Sequence, residues 1–224
     1  MNISIETETW FTIPIFGGIP VTDAVVVSWI VMAILIVFAL IVRYVLLPRF
    51  EEVPRGFQNV LELFVEWVYR FCEDAMHEKG KELAPYIGTL ALYLGLANTI
   101  ELIGFRPPTT NLGTTFAFAV ITFILSHYYG IKQKGIGGKL KDLAKPIAVM
   151  APINLITDLA KPISMASRLY GNILGGLVVM ELIYKVVPIF IPSLLAIYFN
   201  LFDGLMQTYI FITLTLTFIG EAMD

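Results

Sequence analysis

Long apolar stretches separated by short polar segments dominate this chain. Residues 24–42 are almost uninterrupted Val, Ile, Leu and Ala, and the basic residues Arg43 and Arg49 follow them. A membrane-spanning helix needs about 20 such residues. The pattern therefore predicts a first transmembrane helix over about 24–47. Residues 1–22, where Pro and Gly are interspersed with aromatic residues, are predicted to form a loop at the bilayer interface.

A different pattern occupies residues 56–78. Polar residues alternate there with an apolar set at helical spacing, which consists of Phe57, Val60, Leu61, Phe64, Val68, Phe71, Cys72 and Ala75. This spacing is typical of an amphipathic helix, and we expect it to lie on the membrane surface. Its role is either packing alone or docking a neighbouring subunit.

Four further apolar helices are predicted, over residues 84–103, 110–131, 146–184 and 193–221. The first two form a helical hairpin around a tight turn at 104–111. Asn98 and Glu101 near that turn face either a water-filled access path or the bilayer interface. A basic loop is expected over 132–145.

The last two helices are longer than a simple crossing requires. Residues 146–184 would extend about 58 Å as a helix, nearly twice a hydrocarbon core of about 30 Å, so we expect a strong tilt. In the final helix Asn200, Asp203 and Gln207 stand at positions i, i+3 and i+7 and are predicted to share one face. The fold class is an all-α integral membrane protein, with residues 1–224 as a single membrane domain.

Composition supports a polytopic membrane protein. The chain has 224 residues, of which 57% are hydrophobic and 15% charged, and its mean hydropathy is positive. These values are far from those of a soluble domain. Its single cysteine, Cys72, excludes an internal disulfide.

The basic residues predict the orientation. Only Arg106 and Lys185 lie on one side of the predicted spans, whereas eleven lie on the other: Arg43, Arg49, Arg55, Arg70, Lys79, Lys81, Lys132, Lys134, Lys139, Lys141 and Lys145. The positive-inside rule then places the N-terminus outside and the C-terminus in the cytoplasm. With no signal or transit peptide recognised at the start, we expect a bacterial plasma membrane.

The chemistry of the chain concentrates in one polar stripe. Asp158, Lys161, Arg168 and Asn172 fall within a sector of about 80° on a helix that is otherwise apolar. A charged side chain at the centre of a membrane helix costs about 2.5–3.5 kcal/mol on insertion scales, so Arg168 needs compensation. The candidates are Gln207 and Asn172 as hydrogen-bonding neighbours, or a carboxylate supplied by another protein. Lys161 is expected to extend to the cytoplasmic interface.

Three motifs carry a resemblance to a known family. Ser-Arg-Leu-Tyr-Gly-Asn at 167–172 resembles the signature of subunit a of the F-type ATP synthase, the stator beside the rotor ring. Pro-Thr-Thr-Asn-Leu at 108–112 and Met-Gln-Thr-Tyr-Ile-Phe at 206–211 are similar to two further motifs of that family. The resemblance extends from about residue 84 to the C-terminus.

The resemblance implies roles for individual residues. Arg168 would face the carboxylate of the rotor ring, with Asn172 and Gln207 around it, and Asp158 would line the cytoplasmic half-channel. The chain departs from the family at Leu177 and Asn200, where relatives often carry titratable residues. The outer half-channel would then depend on other groups, first Asp203 and second Glu181.

The resemblance also implies a mechanism and partners. H⁺ or Na⁺ would enter by one half-channel, neutralise a ring carboxylate, travel with the ring and leave by the other half-channel, with Arg168 between the two. The partners would be the rotor-ring subunit c, the peripheral-stalk subunit b, other ATP synthase subunits and the lipid bilayer. No phosphate-binding loop occurs, so we expect no catalysis by this chain, and no cofactor, metal or nucleic acid. The alternatives are a self-contained ion channel or transporter, and a non-transporting membrane scaffold.

Overall fold

A computed structural model of the chain describes residues 9–13, 19–103, 105–143, 151–186, 195 and 197–223. Two strands and six α-helices make up this described part: β1 (Thr9–Ile13), β2 (Ile19–Thr22), α1 (Asp23–Ile41), α2 (Phe57–Met76), α3 (Ala84–Thr99), α4 (Leu112–Leu143), α5 (Ala151–Val186) and α6 (Gly204–Met223). Short helical turns join them. Two are π-helices, Val42–Leu46 and Ile197–Asp203, and four are 3₁₀ helices, Leu47–Arg49, His77–Glu82, Ile100–Ile103 and Pro108–Thr110.

Four helical segments in the described part are long and apolar enough to cross a membrane: Asp23–Arg49, Leu112–Gly135, Pro152–Ile183 and Leu201–Met223. They coincide with four of the five predicted spans and confirm a helical membrane protein. The fifth, over 84–103, is the 16-residue α3 followed by a 3₁₀ turn. Its crossing of the membrane stays a prediction, as does the tilt of α5.

The N-terminal segment contains strands where a loop was predicted. β1 and β2 form an antiparallel pair in which Phe11 lies opposite Val21 and Ile13 opposite Ile19. All residues of the two strands except Pro20 are aromatic or β-branched, and such residues favour extended backbone. The predicted loop is therefore wrong over these nine residues.

A second difference concerns the predicted basic loop over 132–145. Helix α4 continues to Leu143, interrupted only at Gly135, whose φ of 73° and ψ of 166° are not helical. Lysine is a good helix former, so the basic character of this segment does not end the helix. Lys132 reaches back to Glu82, with a distance of 3.0 Å between Lys132 Nζ and Glu82 Oε2.

Helix α6 lies at the centre of the packing. It contacts α2, α3, α4 and α5, and its side chains Phe211, Ile212, Leu216 and Ile219 are each at most 1% exposed. The arms of the predicted hairpin, α3 and α4, approach each other at the Tyr93 and Phe118 rings, 5.3 Å apart, and both pack against α6. The predicted hairpin is thus held together largely by a third helix.

The predicted amphipathic helix is confirmed as α2. Val68, Cys72 and Met76 are buried against the bundle, whereas Phe57 and Val60 at its start are more than half exposed. Burial raises the pKa of the Cys72 thiol to about 11. The position of α2 at the membrane surface remains a prediction.

Candidate functional site

Arg168 projects from the outer side of α5. Its side chain is exposed, and within the described ranges it makes no hydrogen bond or ion pair. Neither of its predicted intramolecular partners, Asn172 and Gln207, bonds to it, so that expectation is wrong. The remaining candidate partner for the charge of Arg168 is a carboxylate supplied by another protein.

Small residues flank Arg168 along the same side of the helix. At 3.6 residues per turn, Thr157, Ser164, Gly171 and Gly175 lie within about 60° of Arg168, and all five are exposed. A Cβ atom added at Gly171 or Gly175 would meet no other atom within 4 Å. Small residues in membrane helices allow close approach of a second helix. This stripe is open to such a helix, and the described chain leaves it uncovered.

Asn172 and Gln207 connect α5 to α6 beside the arginine. The Asn172 amide nitrogen donates to Gln207 Oε1 at 2.6 Å. Gln207 is only 1% exposed, and its own nitrogen, Nε2, is buried without a hydrogen-bond partner among the residues that the structure describes. An unpaired buried donor is costly, so a further acceptor near this nitrogen would be stabilising.

Three charged residues meet at the end of the site that was predicted to be cytoplasmic. Lys161 Nζ lies 3.0 Å from Asp158 Oδ1 and 2.9 Å from Glu221 Oε2. The same nitrogen is 5.4 Å from the centre of the Phe218 ring. Lys161 thus joins α5 to α6, and its extension to the cytoplasmic interface stays a prediction. Sequence reasoning missed Glu221, because the i, i+3 spacing indicates only the pair within α5.

The three polar residues predicted to share one face of the final helix lie in two different kinds of helix. Asn200 and Asp203 belong to the π-helix Ile197–Asp203, while Gln207 lies in α6. The three were predicted to share a face of one α-helix. That premise is wrong, since a π-helix closes i→i+5 bonds and turns less per residue. Asp203 is half-buried, and the Asn200 side chain lies outside the described residues.

Glu181 has a local partner of its own. Its carboxylate lies 3.3 Å from Lys185 Nζ, one turn further along α5, and both side chains are exposed. An exposed pair of this kind contributes at most about 1 kcal/mol to stability. The pair therefore leaves the predicted role of Glu181 untested.

Asn98 is buried within the bundle, contrary to expectation. It is 1% exposed and faces neither an open water path nor the interface. Its amide nitrogen donates to the Gly204 carbonyl and to Thr208 Oγ1, both at 3.2 Å, and its oxygen accepts from Thr109 Oγ1 at 2.9 Å. The Glu101 side chain lies outside the described residues.

The arrangement combines a permanent cation with polar side chains on one open face. An arginine keeps its positive charge at physiological pH. A carboxylate brought beside Arg168 would be favoured in its ionised form and would therefore release a bound proton or cation. Within the described residues no carboxylate lies at hydrogen-bond distance from Arg168.

Comparison with known proteins identifies the family. The family model described as ATP synthase A chain matches residues 25–220. Over 170 residues the chain is 34% identical to ATP synthase subunit a of Moorella thermoacetica, covering 75% of this chain and 78% of that protein. It is 35% identical over 167 residues to ATP synthase subunit a 1 of Chlorobium luteolum, with 74% of each chain covered.

A third relative extends the match to a larger share of its own length. ATP synthase subunit a of Sulfurihydrogenibium is 33% identical over 176 residues, which cover 76% of this chain and 84% of that protein. The family model includes the helix that carries Arg168 and the helix that carries Gln207. The predicted resemblance is confirmed, and this chain belongs to the ATP synthase A chain family, as a multi-pass subunit of the membrane sector of that complex.

Proposed function

We propose that this chain is the stator that carries ions to and from the rotor ring through two offset half-channels, with Arg168 separating them. Ion flow past Arg168 would turn the ring and drive ATP synthesis in the rest of the complex. The observation that carries the proposal is the exposed guanidinium of Arg168, unpaired within the described part of the chain, on a stripe of small residues in a chain of this family.

The energetics favour a partner at this stripe. A charged residue on a spanning helix is costly unless it is paired or faces water. A rotor-ring helix that docks along Gly171 and Gly175 would bring its carboxylate to Arg168, and those glycines leave room for it. The unpaired nitrogen of Gln207 would then lie near the same carboxylate and gain an acceptor.

The two half-channels would approach Arg168 from opposite sides. Asp158 with Lys161 and Glu221 would form the cytoplasmic path, and Asp203, with Glu181 as a second member, the outer path. Asn172 and Gln207 would stand between them. Because Lys161 pairs with both carboxylates, the cytoplasmic path would hold two acidic groups around one fixed cation.

The remaining assignments follow from the family and from the distribution of charge. The partners would be rotor-ring subunit c and peripheral-stalk subunit b, in a bacterial plasma membrane with the N-terminus outside. Each elementary charge that crosses 100 mV releases about 2.3 kcal/mol, so several ions are needed for each ATP. The coupling ion is H⁺ or Na⁺, and the ring site would select between them.

The experiment is ATP-driven ion uptake into vesicles that contain the whole complex, with Arg168→Ala compared with the native chain. We expect uptake to fall to background while the subunits assemble in normal amounts, because the exchange step loses its cation. Arg70→Ala is the matched control, since Arg70 is exposed on α2 and, among the described residues, pairs with Glu66 alone, at 2.6 Å. Undiminished uptake by Arg168→Ala would refute the proposal.

A further inference from the structure

We propose that Asn98 is a positioning residue that holds the junction between the π-helix and α6, and thereby fixes the directions in which Asp203 and Gln207 face. The inference rests on the proposed function in so far as these two residues serve ion translocation. The geometric claim can be tested separately.

The contacts of Asn98 converge on that junction. Gly204 is the first residue of α6, and Thr208 follows one turn later. The Asn98 amide nitrogen donates to the Gly204 carbonyl and the Thr208 hydroxyl, and that hydroxyl donates to the same carbonyl at 2.9 Å. One side chain of α3 thus holds the first turn of α6 at two points.

The Asn98 side chain is itself held in place. Thr109, from the 3₁₀ turn that precedes α4, donates its hydroxyl to Asn98 Oδ1. Asn98, Thr109 and Thr208 are each at most 6% exposed, so water does not replace these bonds. The Asn98 amide nitrogen donates two hydrogen bonds and its oxygen accepts one, so these bonds hold the side chain in a single orientation.

Packing reinforces the hydrogen bonds. A Cβ atom added at Gly204 would lie 3.1 Å from Asn98 Cβ and 3.5 Å from the Asn98 carbonyl oxygen. Only a residue without a side chain lets the two backbones approach so closely. The start of α6 is therefore fixed against α3 by contact as well as by hydrogen bonds.

The junction decides how Asp203 is oriented relative to Gln207. A π-helix holds one more residue within each hydrogen-bonded turn than an α-helix does. If Ile197–Asp203 relaxed to α-helix, the residues before Gly204 would rotate by one position, about 100°, relative to those after it. Asp203 adjoins the junction directly, whereas Gln207 lies beyond it. Holding Gly204 and Thr208 therefore sets the angle between the two side chains.

The test measures the exposure of residue 203 in the assembled complex. The single native thiol is removed by Cys72→Ala, and the thiol introduced by Asp203→Cys is labelled with a water-soluble maleimide in vesicles. We expect Asn98→Ala to raise the labelling rate at least about fivefold, because the half-buried side chain gains other orientations. A thiol introduced by Leu205→Cys, just beyond the junction and 48% exposed in the native chain, should change less than twofold.

Two further variants serve as a control and as a substitute for Asn98→Ala. Thr215→Val removes a buried hydroxyl two turns along α6, 3.4 Å from the Thr122 hydroxyl, and should leave the labelling of Asp203→Cys unchanged. If Asn98→Ala does not assemble, Thr208→Val keeps the shape of the site, loses one of the two bonds, and should raise the rate two- to threefold.

An unchanged rate in assembled Asn98→Ala complexes, or an equal rise with Thr215→Val, overturns the positioning role. Likewise, an unchanged rate with Thr208→Val overturns it where Asn98→Ala does not assemble. These outcomes are independent of ion pumping. Failure of the proposed function would instead appear as undiminished uptake by Arg168→Ala.

Discussion

Arg168 and Gln207 place polar groups in an apolar bundle in opposite ways. Arg168 points outward and makes no bond within the described residues, whereas Gln207 is buried and shares one of its two polar atoms with Asn172. Both keep an unused donor on neighbouring helices. A buried unpaired donor such as Gln207 Nε2 is rare in folded proteins, and the proposed rotor-ring carboxylate would give it an acceptor.

Cys72 shows how burial alone controls the chemistry of one residue. Its pKa of about 11 means that roughly one thiol in a thousand is ionised at pH 8, and the side chain is fully buried. We expect maleimide labelling of the folded complex at pH 8 to be at least about 100-fold slower than labelling of the denatured chain. Between pH 8 and pH 11, each unit of increase in pH should raise the labelling rate of Cys72 about tenfold.

The same shift predicts a loss of stability in alkaline solution. The unfolded thiol ionises near its ordinary pKa of 9.0, before the folded one, so the folded state loses stability as the pH rises from 9.0 towards about 11.

The control for the labelling of Cys72 is Leu63→Cys. Residue 63 is on the same helix and 64% exposed in the native chain, so its thiol should be labelled rapidly. Labelling of Cys72 at a similar rate would contradict the buried position of this side of α2.

Two interruptions of regular α-helix stand out within the described residues. The π-helix before α6 and the break at Gly135 in α4 both occur within stretches whose composition predicts either one continuous helix or a loop. In α4 the break falls on Gly135, the last residue of the apolar span, and basic helix continues beyond it. The kink thus separates the apolar part of α4 from its charged part.

Replacing Gly135 by Ala should destabilise the chain by about 1–3 kcal/mol. Its φ of 73° and ψ of 166° fall in a region that is essentially restricted to glycine. An added Cβ would meet no neighbour within 4 Å, so the cost comes from the backbone alone. Equilibrium unfolding of the purified chain in mixed detergent micelles measures it.

Gly137→Ala is the matched control for this prediction. Gly137 lies two residues further on in helical conformation, and its added Cβ also meets open space. Alanine is favoured over glycine there by up to about 1 kcal/mol. Equal effects of the two substitutions would show that α4 does not need the break.

The molecule as a whole carries its polar site on an outer face. Arg168 and the stripe of small residues are exposed along α5, while α4 and α6 pack against the other sides of that helix. A water path at this face would require a second protein to close it against lipid. The arrangement differs from that of a channel that encloses its pore within one chain.

The isolated chain should therefore conduct ions very poorly. Reconstituted alone into vesicles with an imposed membrane potential, it is expected to carry less than about 1% of the proton current of the complete membrane sector. Co-reconstitution with the rotor ring and the stalk subunit should restore the current. Full conductance by the chain alone would favour the self-contained channel.

The pattern of apolar and polar residues along the sequence determined the helical membrane fold, the long α5 and the amphipathic α2. Three short motifs determined the family. These features depend on local periodicity and on contiguous motifs, which the residues carry without reference to the rest of the molecule. The polar stripe of Asp158, Lys161, Arg168 and Asn172 was predictable for the same reason, since its residues lie within one helix.

Only the tertiary structure decided which polar groups meet. The pairing of Lys161 with Glu221, the bond between Asn172 and Gln207 and the burial of Asn98 each join residues at least 35 positions apart. The π-helix before Gly204 likewise lies where α6 packs closely on α3. Periodicity specifies which side of a helix is apolar, but contacts across helices depend on how the helices pack, and that depends on the whole chain at once.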